Sequence, residues 1–584
     1  MSLEDDIRVV VCIDFGTTYS GFAYANISNP EICTNDIWPG KCGEHKTNTA
    51  LQYDTFFRKV EAWGYPALAV QPNQNRRSIT RSKSISEGVT APNESTNIMH
   101  ANFSTPMTSP KPVELFKLHL GDLGKDEKPT LPEELDYERV ITDYFREIGN
   151  VSTLIKQTIL SRWPGIDFEK NVLLVLTVPV EFNDQAKAIM RKCVTDAELI
   201  AKQLEFTTEP EAAAIYCIKL FKEQLNNSVG SLFLTVDVGG GTVDLTKRKM
   251  LDGYKLDEIT ESTGDFCGGS FVDKEFINFI EGKIGDKAIL LFKRNNYGQF
   301  QYLVQEFCKR IKIPFTGNPE DFKEYELDIE EVCPALKQYV HGLERTILEY
   351  DEWIITISFK DVKDMFDPVV EKILKLIENQ ITKDNEFISS IFLVGGFSES
   401  VYLQTRIKEE FSSRVLNVSV PAQPISAVVR GGVEYGLNMS VVHSRVLKYT
   451  YGLLINTMFD EKKDPVERKK ENGKIFKFYR LVERGTQVYV NQEFSDVFPP
   501  SNHDQTRARC AVYITTAQNA TYVDEPGVQL LGTIIFDLPD PELGLNRLVH
   551  FSLTFGKGEI RANAKNLKTG RTYGTTFELN FLDR

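Results

Sequence analysis

Two segments of this chain set an aspartate, glycines and threonines in the same order: Asp14-Phe15-Gly16-Thr17-Thr18 and Asp237-Val238-Gly239-Gly240-Gly241-Thr242. Glycine lets a backbone turn tightly and bring its N–H groups against an anion, and threonine hydroxyls add donors. Such a turn suits phosphate oxygens. The aspartate would repel phosphate directly, but it can orient the waters of a Mg²⁺ ion lying between phosphate and protein. Either turn alone also reads as an ordinary strand end. Two of them facing each other would clamp a triphosphate from both sides. A third glycine pair, Gly395-Gly396-Phe397-Ser398, follows another apolar run, and the lysine-bearing phosphate loop of P-loop kinases is absent from the sequence.

The elements that must hold these turns are legible as apolar runs. Arg8–Phe15 ends at the first turn, Ser231–Val236 at the second and Ile391–Val394 at the third. Asn171–Val178 stops at Pro179 and leads into a helical stretch from Asn183-Asp184. Apolar character without alternation predicts strands buried on both faces. Helix-like stretches at Pro210–Leu220 and Asp367–Ile381 lie between them, and the alternation predicts α/β layers. The stretch Asn318–Glu331 reads as a solvated connection. After about Val446 short β-rich segments take over: Tyr451–Ile455, Phe476–Leu481, Gln487–Val490, Ala511–Thr515, Leu530–Phe536, Leu548–Phe555 and Thr575–Leu579. Turns at Asn472-Gly473, Pro526-Gly527 and Thr569-Gly570 separate some of them, which is the pattern of a β-sandwich.

Composition narrows the partners. A chain of 584 residues exceeds one ordinary core, so at least two domains are expected. A net charge of -14 argues against broad affinity for nucleic acid or anionic membranes, yet leaves room for an anionic ligand held by local dipoles and a cation. The nine cysteines are scattered without a close C-x-x-C pair, which favours free thiols over disulfides or zinc. No apolar run has the length of a membrane span, and the acidic start is unlike a signal peptide, so a cytoplasmic location is expected. Residues ~71–112, dense in Ser, Thr, Asn, Pro and basic residues, read as a long loop or disordered insertion. It carries glycosylation-like patterns at Asn93 and Asn102, which a cytosolic chain would leave unmodified, and basic-serine patterns around Ser78 and Ser84 suited to phosphorylation.

The neighbouring residues then carry a resemblance. Val11 to Ser20 (VCIDFGTTYS) resembles the opening of the seventy-kilodalton heat-shock proteins, Thr208 to Ile215 (TEPEAAAI) their E-P-x-A-A-A helix start, and Gly264 to Ser270 (GDFCGGS) their G-D-x-x-L-G-G segment. Gly395-Gly396-Phe397-Ser398 resembles the adenosine loop of the wider actin and sugar-kinase superfamily. The resemblance covers residues ~7–445 and continues more weakly to Leu530-Leu531-Gly532 and Lys568-Thr569-Gly570. It implies an α/β, actin-like (ribonuclease H-like) two-lobed ATPase domain over 1–445, followed by a β-sandwich over 446–584 that binds a protein or peptide.

Residue by residue, the resemblance implies that Asp14 and Asp237 hold hydrated Mg²⁺. Gly16, Thr17, Thr18 and Tyr19 would form the first phosphate clamp, and Gly239, Gly240, Gly241 and Thr242 the second. Glu209 falls where the family sets a carboxylate near the attacking water; on its own it reads as a helix N-terminal acid favoured by the dipole. Lys117, in Phe116-Lys117-Leu118, resembles the catalytic lysine that stabilises charge on the transferring phosphoryl group, and otherwise reads as a solvated lysine. Asp237 and Thr242 join this catalytic set. Asp244 matches an acidic position that binds a monovalent cation such as K⁺ or positions water. Gly268, Gly269, Ser270, Gly395, Gly396 and Phe397 would line the groove for ATP or ADP.

The pattern also departs from the family. Where its adenosine helix has an acid and an arginine, this chain has Lys309 and Ile313, with Lys312 retained. An ammonium cannot accept the ribose hydrogen bond that a carboxylate accepts. Ile425-Ser426-Ala427-Val428 stands where the family is acidic, and Val441 to Lys448 lacks the acidic, leucine-rich linker. No lid-like helical segment follows the β region. These features resemble the divergent twelfth subfamily. Three readings follow: an ATPase switch acting on a protein or peptide, a nucleotide-sensing scaffold that hydrolyses negligibly, and a small-molecule kinase.

Overall fold

The computed structural model describes residues 6–68, 111–121, 124, 128–149, 154–221, 229–383, 386–555 and 558–576. The expected insertion at ~71–112 and its candidate modification positions therefore lie outside the described residues, except for Lys111 and Pro112.

Two mixed sheets of like connectivity carry the glycine turns. The first runs Gln203–Thr208, Val172–Val178, Val9–Asp14, Tyr19–Asn26, Asn29–Thr34, with the first three strands parallel and the remaining pairs antiparallel. The second begins Asn417–Ser419, Ser390–Val394, Leu232–Val238, Val243–Met250, Leu256–Glu258, again three parallel strands and then antiparallel neighbours. In each sheet the third strand carries the aspartate at or next to its end and folds back through the glycine turn into the fourth. The expected strands are recovered, and every residue of Val9–Asp14, Val172–Val178, Leu232–Val238 and Ser390–Val394 is buried. That matches the continuous apolar runs of strands covered on both faces.

Each lobe has its own core. One gathers Phe15, Phe22, Tyr144, Phe145 and Leu176; the other gathers Val236, Phe276, Phe307, Ile373 and Leu393. Between them a third cluster joins Val10 and Val175 of the first sheet to Phe233 and Val394 of the second. Helices Glu209–Leu220 and Ala427–Leu437 add Ala212, Ala213 and Val433 among others. They cross where a Cβ on Gly431 would stand 1.8 Å from the Ala212 carbonyl oxygen, so only glycine allows that approach. The first helix is capped by Thr208, whose hydroxyl accepts from the Glu211 N–H, with Pro210 in its first turn.

The C-terminal region holds two four-stranded antiparallel sheets. One runs Lys474–Val482, Thr450–Met458, Arg507–Thr515, Val528–Asp537; the other runs Glu493–Phe498, Val549–Thr554, Arg561–Asn566, Thr572–Thr576. Leu453, Val512 and Phe536 of the first share one apolar cluster with Phe551, Leu553, Ala562 and Ala564 of the second. Two of these strands escape sequence reading. Glu493–Phe498 has no buried residue, and Arg561–Asn566 buries only alanines and an asparagine, alternating with the polar Arg561, Asn563 and Lys565.

Two further differences bear on function. The segment Val442–Val446 is a strand of the second sheet, parallel to Leu256–Glu258, and Gln487–Tyr489 pairs antiparallel with it. The β segment expected at Gln487–Val490 thus completes the sheet of the N-terminal region. The supposed solvated connection at Asn318–Glu331 contains the strand Tyr325–Asp328, paired with Ile354–Ile357, and buries Leu327 and Ile329. Its acidic side chains mask an apolar alternation. Helix Phe359–Thr382 starts before the predicted Asp367 at a Ser358–Asp361 capping box and continues through Pro368. All nine cysteines are free thiols.

Candidate functional site

The two glycine turns face each other across a cleft between the sheets. A Cβ on Gly240 would stand 2.1 Å from Thr18 Oγ1, and one on Gly241 would stand 3.3 Å from Thr17 Cγ2. The same cleft is lined by Asp14, Gly16, Thr17, Thr18, Tyr19, Lys117, Glu209, Asp237, Gly239, Gly240, Gly241, Thr242, Gly395 and Gly396. Lys46, Ile425 and Val428 complete the wall.

Beneath the first turn Asp14 is buried, its Oδ1 accepting from Thr177 Oγ1 at 3.1 Å. Its Oδ2 stands 2.6 Å from Lys46 Nζ. Beneath the second turn Asp237 is equally buried, beside Gly395, whose Cβ would stand 2.3 Å from Asp237 Oδ1. With φ +87° this glycine satisfies both a left-handed backbone and a close approach. Burial, then Glu209 and Asp244, pushes the Asp237 carboxyl well above its usual range.

Lys117 and Glu209 arrive from separate elements. Lys117 sits in the 3-10 turn Phe116–Leu120, and Glu209 opens the helix Glu209–Leu220. Their side chains meet at 2.8 Å, both buried, with the Lys117 ammonium 5.7 Å and 5.5 Å from the rings of Phe15 and Phe182. The solvated-lysine alternative is thereby removed. Burial raises the Glu209 carboxyl, with Lys117 acting against it. Asp244, opposite Asp237 in the strand register, accepts from the Val180 N–H at 3.1 Å. Burial and the negative Glu209 push it up to about 7.

The other expected residues stand behind the cleft wall. Gly268, Gly269 and Ser270 donate their N–H groups to the carbonyls of Gly241, Gly239 and Gly240, at 3.3, 3.0 and 2.8 Å. They brace the second turn from outside. Lys312 is buried and donates to Gly269 O and Asp273 Oδ1, both at 2.6 Å, with the Phe397 ring 5.4 Å away. Lys309 is exposed. None of these six residues lines the cleft itself.

Lys46 is the residue that sequence reasoning missed. It precedes Thr47–Asn48, which pairs with the start of Tyr19–Asn26, and Thr49 ties this segment to the first turn through Thr18 O and Gly16 O at 2.8 Å each. An isolated lysine in a polar stretch carries no local signal; only strand pairing brings it to the first glycine turn.

A second centre lies behind the Glu209 helix. Glu211 is buried and accepts from Arg445 Nε at 2.9 Å, Arg445 Nη2 at 2.6 Å, Arg248 Nη2 at 3.0 Å and Thr207 Oγ1 at 2.7 Å. Arg445 belongs to the strand Val442–Val446, so the segment leading to the C-terminal sheets is fastened to the helix that opens with Glu209.

Two like sheets, each offering a glycine turn with a buried aspartate across one cleft, define a two-lobed fold of the actin-like class. Residues 168–463 match the family model described as "Hsp70 protein", and this covers half of the chain: the protein belongs to the Hsp70 family. It is 25% identical to the human "Heat shock 70 kDa protein 12A", with 98% of this chain and 91% of that protein covered. To the human "Heat shock 70 kDa protein 12B" it is also 25% identical, over 97% of this chain and 90% of the relative. The "Chaperone protein HscA" of Buchnera aphidicola is 26% identical over 51% of this chain and 53% of its own length.

Proposed function

We propose that this chain binds ATP in the cleft and hydrolyses it, and that the cycle governs a chaperone-like protein- or peptide-binding region. The observation that carries this reading is the opposition of the two glycine turns, Thr18 against Gly240, above Asp14 and Asp237. In this reading the backbone N–H groups and Thr17, Thr18 and Thr242 hold phosphate oxygens. Glu209 orients the attacking water and accepts its proton, a role suited to a carboxyl raised by burial. Lys117 places its charge beside the transferring phosphoryl group.

A hydrated divalent cation fits these residues better than a directly ligated one. Among the described residues no group of three or more His, Cys, Asp and Glu side chains is gathered to hold a metal. The negative neighbours that push up Asp237 supply charge that a cation relieves. Mg²⁺ would neutralise phosphate charge there, with Asp14 and Asp237 orienting its waters. Asp244 is our candidate for K⁺ or for a positioned water.

We assign the ATPase domain to 1–445 and the partner-binding domain to 446–584, reading the two C-terminal sheets as a β-sandwich, and we propose a cytoplasmic location. Among the described residues no helix is long and apolar enough to cross a membrane. Calorimetric titration with ATP and Mg²⁺, run beside phosphate release, tests the proposal. Binding with turnover that Lys117→Ala or Glu209→Ala abolishes is expected; turnover unchanged in both variants would sink the assignment.

One observation favours the nucleotide-sensing alternative. Lys312 is committed to Gly269 O and Asp273, and Lys309 faces solvent, so neither lines the cleft beside the turns. ATP binding with phosphate release no faster than in Lys117→Ala would favour that reading.

A further inference from the structure

Resting on the reading of the cleft as a nucleotide site, we propose that Lys46 is a phosphate-binding residue, held on Asp14 until phosphate arrives. Nothing in the glycine-turn pattern points to it. Its place comes from geometry. The Lys46 ammonium is 2.6 Å from Asp14 Oδ2, with only 11% of its side chain exposed, and it faces the same cleft as both turns.

The segment that carries it is indexed to the first turn rather than loosely draped. Thr47 and Asn48 pair with Ser20 and Tyr19, and Thr49 bonds to Thr18 O and Gly16 O. Room for the lysine stem comes from Gly21, where a Cβ would stand 3.0 Å from Lys46 Cγ and 2.8 Å from His45 O. Lys46 therefore keeps a constant position relative to Gly16, Thr17 and Thr18.

Charge then decides its partner. Asp14, Glu209 and Asp237 are buried and line the cleft, with Asp244 buried opposite Asp237 in the strand register, against the ammonium groups of Lys46 and Lys117. Each lysine sits on one carboxylate, Lys46 on Asp14 and Lys117 on Glu209. Once Asp14 and Asp237 turn to a hydrated divalent cation and Glu209 to water, both ammonium groups need new acceptors. Phosphate oxygens between the turns are the acceptors in reach. Lys117 reaches them from the Phe116–Leu120 turn and Lys46 from beside the Thr17-Thr18 turn, so the phosphates meet a cation from two directions. A lysine serves as a compact point charge, suited to phosphate without fixed bidentate geometry.

The test is equilibrium binding by calorimetry of ATP, ADP and adenosine to wild type, Lys46→Met, Lys46→Arg and Lys46→Gln, with thermal melts of each ligand-free protein. Loss of a charge-assisted contact predicts ATP and ADP binding weakened by about tenfold or more in Lys46→Met. Lys46→Arg should retain most affinity, and adenosine, lacking phosphate, should bind all four proteins alike. Lys46→Gln can still donate to Asp14 but has no charge, so it should bind ATP as poorly as Lys46→Met. It also keeps the test open should Lys46→Met fail to fold. Wild-type ATP affinity in Lys46→Gln, or equal losses for ATP and adenosine, would overturn the proposal while leaving the nucleotide site standing. A wild-type protein that binds neither ATP nor ADP would overturn the site reading and this proposal with it.

Discussion

Replacing Arg445 with methionine should loosen this protein by about 3 kcal/mol although the residue touches no part of the cleft. Glu211 is 1% exposed, and burial alone would push its carboxyl up. Arg445 and then Arg248 outweigh that and hold it at about 2, against an ordinary value of 4.5. At about 1.4 kcal/mol for each pH unit, this favours the ionised carboxylate in the folded state by roughly 3 kcal/mol. Removing one partner from a buried pair costs about 3–5 kcal/mol because the remaining charge is left under-compensated. Both routes give the same magnitude.

The sign with pH follows. The folded value lies below the unfolded one, so this contribution is fully present above about 4.5 and is lost as pH falls toward 2. Urea unfolding of wild type, Arg445→Met, Glu211→Gln and the double variant would measure it, at pH 7 and at steps below 4.5. The expected coupling between the two sites is about 2–3 kcal/mol, and the acid slope should be shallower in Glu211→Gln. A coupling near zero, or an Arg445→Met variant as stable as wild type, would show that the guanidinium does not govern Glu211 and refute the argument.

Other perturbations have equally definite outcomes. Gly431→Val should destabilise by about 3 kcal/mol or more in urea, since its Cβ would overlap Ala212 O and the two central helices would have to separate. Gly240→Val should abolish ATP binding in a calorimeter, because the side chain would enter the gap to Thr18. Arg484→Ala, which breaks a bidentate pair with Glu261 between partly exposed side chains, should lower the unfolding free energy measured in urea by less than about 1 kcal/mol. Lys117→Ala should slow phosphate release at least about a hundredfold while ATP still binds, as expected when a charge beside the phosphoryl group is lost.

Sequence foretells this molecule best where one local rule dominates. Both glycine turns are legible because a buried parallel strand leaves an unbroken apolar run, and the return of the chain demands glycine. Lys46 is illegible for the opposite reason: it joins Asp14 through pairing of Tyr19 with Asn48, and nothing local marks that register. Gly268, Gly269 and Ser270 read from sequence as groove-lining residues, and their N–H groups bond the carbonyls of the second turn, a packing role the motif does not announce. A glycine-rich motif announces close backbone approach without saying whether to ligand or to protein. The strand Arg561–Asn566 hides because its inward residues are Ala562 and Ala564, which carry little β signal. The fastening of Val442–Val446 was equally hidden, since Arg445 finds Glu211 across 234 residues of chain.

The strand Gln487–Tyr489 also acts as a cover. It occupies the outer edge of Val442–Val446, pairing along Ser444, Arg445 and Val446. Detaching Gln487–Tyr489 from Val442–Val446 would leave Ser444, Arg445 and Val446 with unpaired backbone donors and acceptors along that edge. Such an edge is a template for another extended segment, from a second molecule or from a bound peptide. Loss of that pairing would thus change the adhesiveness of the N-terminal region itself: paired, Gln487–Tyr489 shields this border, and detached, it would expose it.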